Sequence, residues 1–212
     1  MPFLEFLYER RGQILACTGE HLVLVAASTL IAVALGLPTG VWLTRRPSIA
    51  RWFLGVANVV QTIPSLALFG FLIPLPFLGG IGARTAIVAL VLYALLPILT
   101  NTYAGIRGVP EPVVEAATGM GMTPSQVLLR IEIPLAAPVI LAGVRIATVV
   151  SVGVATIAAA IGAGGLGTLI FRGVAMVDNR LVLAGAVPAA LLAVAADLLL
   201  TLVERALRPA GE

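Results

Sequence analysis

This chain of 212 residues carries few side chains equipped for chemistry. It has one imidazole, His21, and one thiol, Cys17; all thirteen basic residues are arginine. A Ser-His triad or a zinc site would have to be built on His21, which reads instead as a polar residue at a membrane boundary. Ser151 stands in Ser-Val-Gly within an apolar run, without a second imidazole to act as its base. One cysteine permits neither an internal disulfide nor a cysteine metal motif. A chain without lysine cannot form G-x-x-x-x-G-K-[ST], so it cannot hydrolyse ATP by that route. Gly162–Gly167 fits G-x-G-x-x-G literally, but a dinucleotide site needs a strand before it. Its flanks are long apolar runs, so it reads as a turn at the outer end of a span. No metal or cofactor is expected in the chain itself.

Two charges fall inside apolar runs, Arg145 and Asp197. Intramembrane charges are functional suspects by default. These two can pair with each other, or each can snorkel or face a pathway; Asp197 lies nearer the inner interface and reads as structural. The remaining polar concentration is Glu111–Pro138, EPVVEAATGMGMTPSQVLLRIEIPLAAP.

The elements that hold these residues are membrane spans. The chain is 60% hydrophobic and 11% charged, with a mean hydropathy of +1.10. Soluble domains are about one quarter charged, so this is the composition of a polytopic membrane protein. The apolar runs predict five transmembrane helices, near 21–43, 52–77, 84–106, 135–161 and 181–203. The first, at 1.5 Å per residue, is about 35 Å long and crosses a core of about 30 Å. Residues 1–19 mix apolar and charged residues; Phe3, Phe6, Leu7, Ile14 and Leu15 suit one face of an interfacial helix, or the segment is a frayed terminus. Residues 20–204 form the membrane domain, and 205–212 form a tail.

The second span carries Asn58, Gln61, Thr62 and Ser65 around Pro64, and the third carries Asn101 and Tyr103 after Pro97. Polar residues beside a helix-breaking proline suit a pathway lining or helix–helix packing equally. With Arg145, they are the candidate pathway residues. The arginines divide seven to five between the two faces, with Arg45, Arg46 and Arg51 clustered on the richer one. By the positive-inside rule the N-terminus is outside, the C-terminus is cytoplasmic, and Glu111–Pro134 faces the cytoplasm.

Local chemistry gives that cytoplasmic stretch a shape. Pro110 and Pro112 suit a helix start, with Glu111 and Glu115 favoured there by the helix dipole. Gly119 and Gly121 stop the helix. Thr123, Pro124 and Gln126 form an N-cap signature for a second short helix, which Pro134 is expected to end. A rigid amphipathic hairpin between two spans suits insertion into a partner's groove, or is simply an ordered loop.

Glu115-Ala116-Ala117, three residues, Gly121, nine residues, then Ile131-Glu132-Ile133-Pro134 resembles the EAA signature of ABC importer permeases, with Ile133 in place of the usual leucine. The resemblance implies that Glu115, Ala116, Ala117, Gly121, Ile131 and Pro134 belong to a coupling helix docked on a separate ATPase subunit, which binds the ATP and magnesium. A narrower resemblance, to osmoprotectant permeases, rests on 61–68 (QTIPSLAL), 93–98 (YALLPI), Asn101-Thr102-Tyr103 and 161–167. It implies an all-α, type I importer arrangement like that of methionine permeases and an inner-membrane location. The implied substrates are glycine betaine, choline, carnitine or a related compound. It also implies a separate extracytoplasmic binding protein and a second permease copy or paralogue. A permease for methionine or another amino acid is the alternative within the class. A stand-alone secondary transporter would leave the hairpin unexplained, and an intramembrane enzyme lacks a base.

Overall fold

The computed structural model describes residues 3–206; Met1, Pro2 and the tail from residue 207, with Arg208, lie outside the described residues. Every regular element among them is a helix.

α1 (Phe3–Glu9) is followed almost at once by α2 (Arg11–Thr44). The helix that carries the first span therefore begins well before His21. Its buried positions, among them Cys17, His21, Leu24, Ser28, Ala32, Gly36, Gly40 and Leu43, recur every three or four residues and form one stripe. The expected interfacial segment splits between α1 and the first turns of α2. Phe6 and Cys17 are buried against Leu166, Leu169 and Leu181, with Leu7 and Ile14 alongside, whereas Leu15 points outward. The Arg10 and Arg180 guanidinium groups lie 5.0 and 5.3 Å from the centre of the Phe6 ring, pinning α1 to the start of the last span. His21 is fully buried in the bundle, with Nε2 3.1 Å from the Val152 carbonyl oxygen.

The second span is not one kinked helix. It is broken into α3 (Pro47–Thr62) and α4 (Ser65–Leu72), bent by 104°. Pro64 forces Ile63 out of helical geometry, to φ −70° and ψ 125°. The carbonyl freed at Ile63 accepts a hydrogen bond from the Tyr93 hydroxyl. Tyr93's own carbonyl has lost its helical donor, because the residue four positions on is Pro97. Gln61 Nε2 supplies the replacement at 2.9 Å. Two prolines thus create two orphan acceptors, and two side chains satisfy them, as an apolar medium requires.

Tyr93 and Pro97 lie on α5 (Ala83–Arg107), the central span. Half of its most apolar stretch is buried, against 6% for α10 (Asn179–Ala206). Small residues let its neighbours approach closely. A Cβ at Gly36 or Gly40 of α2 would lie 2.7 Å from Ile98 Cγ2 or Thr102 Cβ. On the other side, a Cβ at Gly143 of α8 (Ile133–Ala158) would lie 2.6 Å from Asn101 Cβ.

At the far end of α8, Gly162, Gly164 and Gly165 all have positive φ. The Gly165 amide donates to Glu20 Oε2 at 2.8 Å, so this turn is clipped onto α2. Helices flank it, with no strand among the described residues, so the geometry of a dinucleotide loop is absent. The following residues, which lie between the fourth and fifth expected spans, form α9 (Gly167–Ala175). Gly173 masked that helix in the sequence; it is there because a Cβ would lie 2.6 Å from the Val182 backbone nitrogen on α10.

Candidate functional site

The hairpin between α5 and α8 begins with α6 (Glu111–Gly119), whose first turn holds Glu111 and Pro112. Its end is a Schellman motif. The Met122 amide donates to the Ala117 carbonyl at 3.2 Å and the Gly121 amide to the Thr118 carbonyl at 2.9 Å. Gly121 takes the left-handed position with φ +84°. The glycine of the signature is thereby explained: the helix must stop there, and only this residue adopts that φ without strain.

The chain restarts at Thr123, which extends to ψ 157° and accepts from the Gln126 amide, while Gln126 Oε1 accepts from the Thr123 amide at 2.8 Å. This is the capping box read from the sequence. α7 (Pro124–Val127) then passes into a π turn, Leu128–Glu132, and on into α8. Pro134 does not end the helix, contrary to expectation. The Ile133 amide bonds to the Leu128 carbonyl five residues back, a wider turn that carries the helix past the missing proline donor. Helix therefore runs unbroken from Pro124 to Ile161.

Within the hairpin, Ala117 and Val127 are buried, at 2% and 5% exposure, where α6 packs on α7. Glu115, Ala116, Gly121 and Pro134 face outward, and Ile131 is half-buried. Val113, Met120 and Leu129 are large apolar side chains left exposed on the same small unit. Carboxylates at a helix start beside uncovered apolar side chains suit docking, not catalysis.

One element of this site escaped the sequence reading. Glu132 is buried, and its carboxylate pairs with Arg45 at the C-terminal end of α2. A charge between two isoleucines of the signature was the available signal.

The candidate pathway residues do not converge on one lining. Asn58 and Thr62 are exposed on α3, with the Thr62 hydroxyl bonded to the Val59 carbonyl. Gln61 and Ser65 are half-buried beside the break. Asn101 Nδ2 donates to the Pro97 carbonyl at 2.8 Å, and Tyr103 packs with Leu43, Ala50 and Leu99. Arg145 joins α8 to α10: its Nη1 lies 3.0 Å from Thr201 Oγ1 and 3.4 Å from Asp197 Oδ1, and its Nε lies 3.6 Å from Glu204 Oε2. Of the options open for Arg145 and Asp197, pairing is the one realised. A groove of about 440 Å³ between α2, α3 and α5 is lined by Leu35, Trp52, Phe53, Val60 and Leu92 among others. With Thr39 as its one polar lining residue, it offers no convergent polar groups.

Comparison with known proteins agrees with this geometry. Residues 32–209 match the family of binding-protein-dependent transport system inner membrane components. The choline transport system permease protein OpuBB of Bacillus subtilis is 44% identical over 208 residues, covering 98% of this chain and 94% of its own. The carnitine transport permease protein OpuCB of Listeria monocytogenes is 43% identical, covering 96% and 92%. Among solved structures, the MetNI methionine ABC transporter in an inward-facing conformation superposes with a TM-score of 0.82 at 25% identity, over 93% of this chain and 97% of the other. Four helices long and apolar enough to cross a membrane, a bent helix pair, a solvent-exposed hairpin and these matches lead to one conclusion: the chain is a multi-pass membrane protein of the binding-protein-dependent transport family, an inner-membrane permease of the ABC importer type.

Proposed function

We propose that this permease imports a small osmoprotectant of the choline, carnitine or glycine betaine class. What carries the reading is the pair of relatives named for choline and carnitine, which match at 43–44% identity over nearly their whole length. The methionine transporter shares the fold at 25% identity, which supports an amino-acid substrate more weakly. ATP and magnesium belong to a separate ATPase subunit, on which Glu111–Pro134 docks through Glu115, Ala116, Gly121 and the exposed Val113, Met120 and Leu129. An extracytoplasmic binding protein delivers the substrate, and two copies of this chain, or one copy and a paralogue, enclose the path. Asn58, Thr62 and Ser65 on the broken span are its candidate lining. The N-terminus lies outside and the C-terminus in the cytoplasm. Motion of the docked hairpins exchanges inward-open and outward-open arrangements as rigid-body rearrangement of packed helices.

The test is uptake by cells that express the chain with its ATPase and binding protein. Labelled choline, carnitine or glycine betaine should accumulate, and Glu115→Lys should abolish accumulation while the chain still reaches the membrane. Accumulation of methionine alone would overturn the substrate class. Full uptake by Glu115→Lys would overturn the docking role.

A further inference from the structure

The side chain of Glu132 is 5% exposed and sits in the π turn that joins the hairpin to α8. A carboxylate so placed persists only where an opposite charge compensates it. Its partner, Arg45, comes from 87 positions earlier. Arg45 caps α2 immediately before α3 begins at Pro47. The chain itself links the hairpin directly to α8, and back to α5 through residues 108–110. Along the chain, that path includes neither α2 nor α3, which meet it by packing against α5 and α8. The ion pair adds a direct charged tie from the foot of the hairpin to the corner where α2 passes into α3. π turns inside helices occur frequently at functional sites, and this one ends on the paired residue.

We propose that Arg45 and Glu132 are positioning residues for transport, coupling movement of the hairpin to the first and second spans. Without the pair, hairpin motion reaches α2 and α3 only through their packing on α5 and α8, and the path does not open fully. The pair touches neither substrate nor ATP. The proposal rests on the docking reading of Glu111–Pro134.

The test uses the whole transporter, permease with ATPase and binding protein, in liposomes supplied with labelled choline. Glu132→Gln and Arg45→Gln should retain the ATPase and hydrolyse ATP, while choline moved per ATP falls about tenfold, within the span of about 5- to 150-fold typical of coupling between sites. The exchanged pair, Arg45→Glu with Glu132→Arg, should recover most of the loss. Wild-type transport per ATP in the single variants would overturn the proposal. So would transport and hydrolysis falling together in step with the amount of folded complex, or an exchanged pair no better than the singles. Loss of the ATPase from the single variants would assign the pair to docking and overturn the coupling role. The docking reading has its own independent failure, Glu115→Lys retaining both the ATPase and uptake.

Discussion

Replacing Gly121 separates backbone conformation from contact. Its φ is +84°, and a Cβ added there meets nothing within 4 Å. Any effect of a small side chain is therefore conformational. Placing an L-residue in the left-handed region costs about 1–2 kcal/mol, asparagine less, and a β-branched residue more. Gly121→Ala should accordingly lower the ratio of closed to frayed hairpin by about 5- to 30-fold. Gly121→Asn should fall between wild type and alanine, and Gly121→Val should be worst. The direct assay is amide hydrogen exchange across residues 117–123, where the Met122 amide is held by the Ala117 carbonyl. Exchange there should accelerate in the order Gly, Asn, Ala, Val, with uptake falling in the same order and α8 beyond the π turn unchanged. Equal exchange in the alanine and wild-type proteins would refute the left-handed turn as the element that shapes the hairpin. Equal effects of asparagine and alanine would refute the conformational account of it.

Three further perturbations address the bundle. Tyr93→Phe leaves the Ile63 carbonyl without its donor and should destabilise the permease by about 1–3 kcal/mol, read as a lower unfolding temperature in detergent. Gly40→Val drives side-chain atoms into Thr102; overpacking of this kind costs about 1–3 kcal/mol or more, and it should reduce recovery of intact transporter from membranes, whereas Gly55→Ala, where a Cβ meets nothing, should not. Arg145→Met strips Asp197 and Glu204 of their shared cation and should lower stability, while Arg145→Met with Asp197→Asn and Glu204→Gln should restore part of it in the same melting measurement.

The hairpin was legible because its signals are local. A capping box, a proline at a helix start and a glycine at a left-handed position each act within a few residues, and all three are where the sequence put them. The spans were legible from apolar length, except where tertiary contacts extend them: α2 reaches back to Arg11 because its first turns bury Cys17, and pack Ile14 alongside it, against the last two helices. Pro64 announced a kink, but the size of the bend depends on Tyr93 and Gln61, about thirty residues apart in the chain, and such exchange of donors has no local signature. Pro134 misled because its penalty is avoided by a wider turn that the sequence does not announce. The Arg45–Glu132 pair was invisible for the plainest reason, separation along the chain. The pathway stays the least legible part: three of its polar candidates, Gln61, Thr62 and Asn101, serve backbone acceptors within this one chain.

The helix that runs unbroken from Pro124 to Ile161 is a lever. Its 38 residues extend about 57 Å at 1.5 Å each, nearly twice the hydrocarbon thickness. Pivoted near mid-membrane, an arm of about 28 Å turned by about 10° carries each tip about 5 Å, the scale of a single helical pitch. One tip carries the hairpin, and the other ends at the glycine turn clipped to Glu20. A push delivered at the hairpin would therefore reach the glycine turn through one continuous helix, and the Glu20 clip ties that far tip to α2.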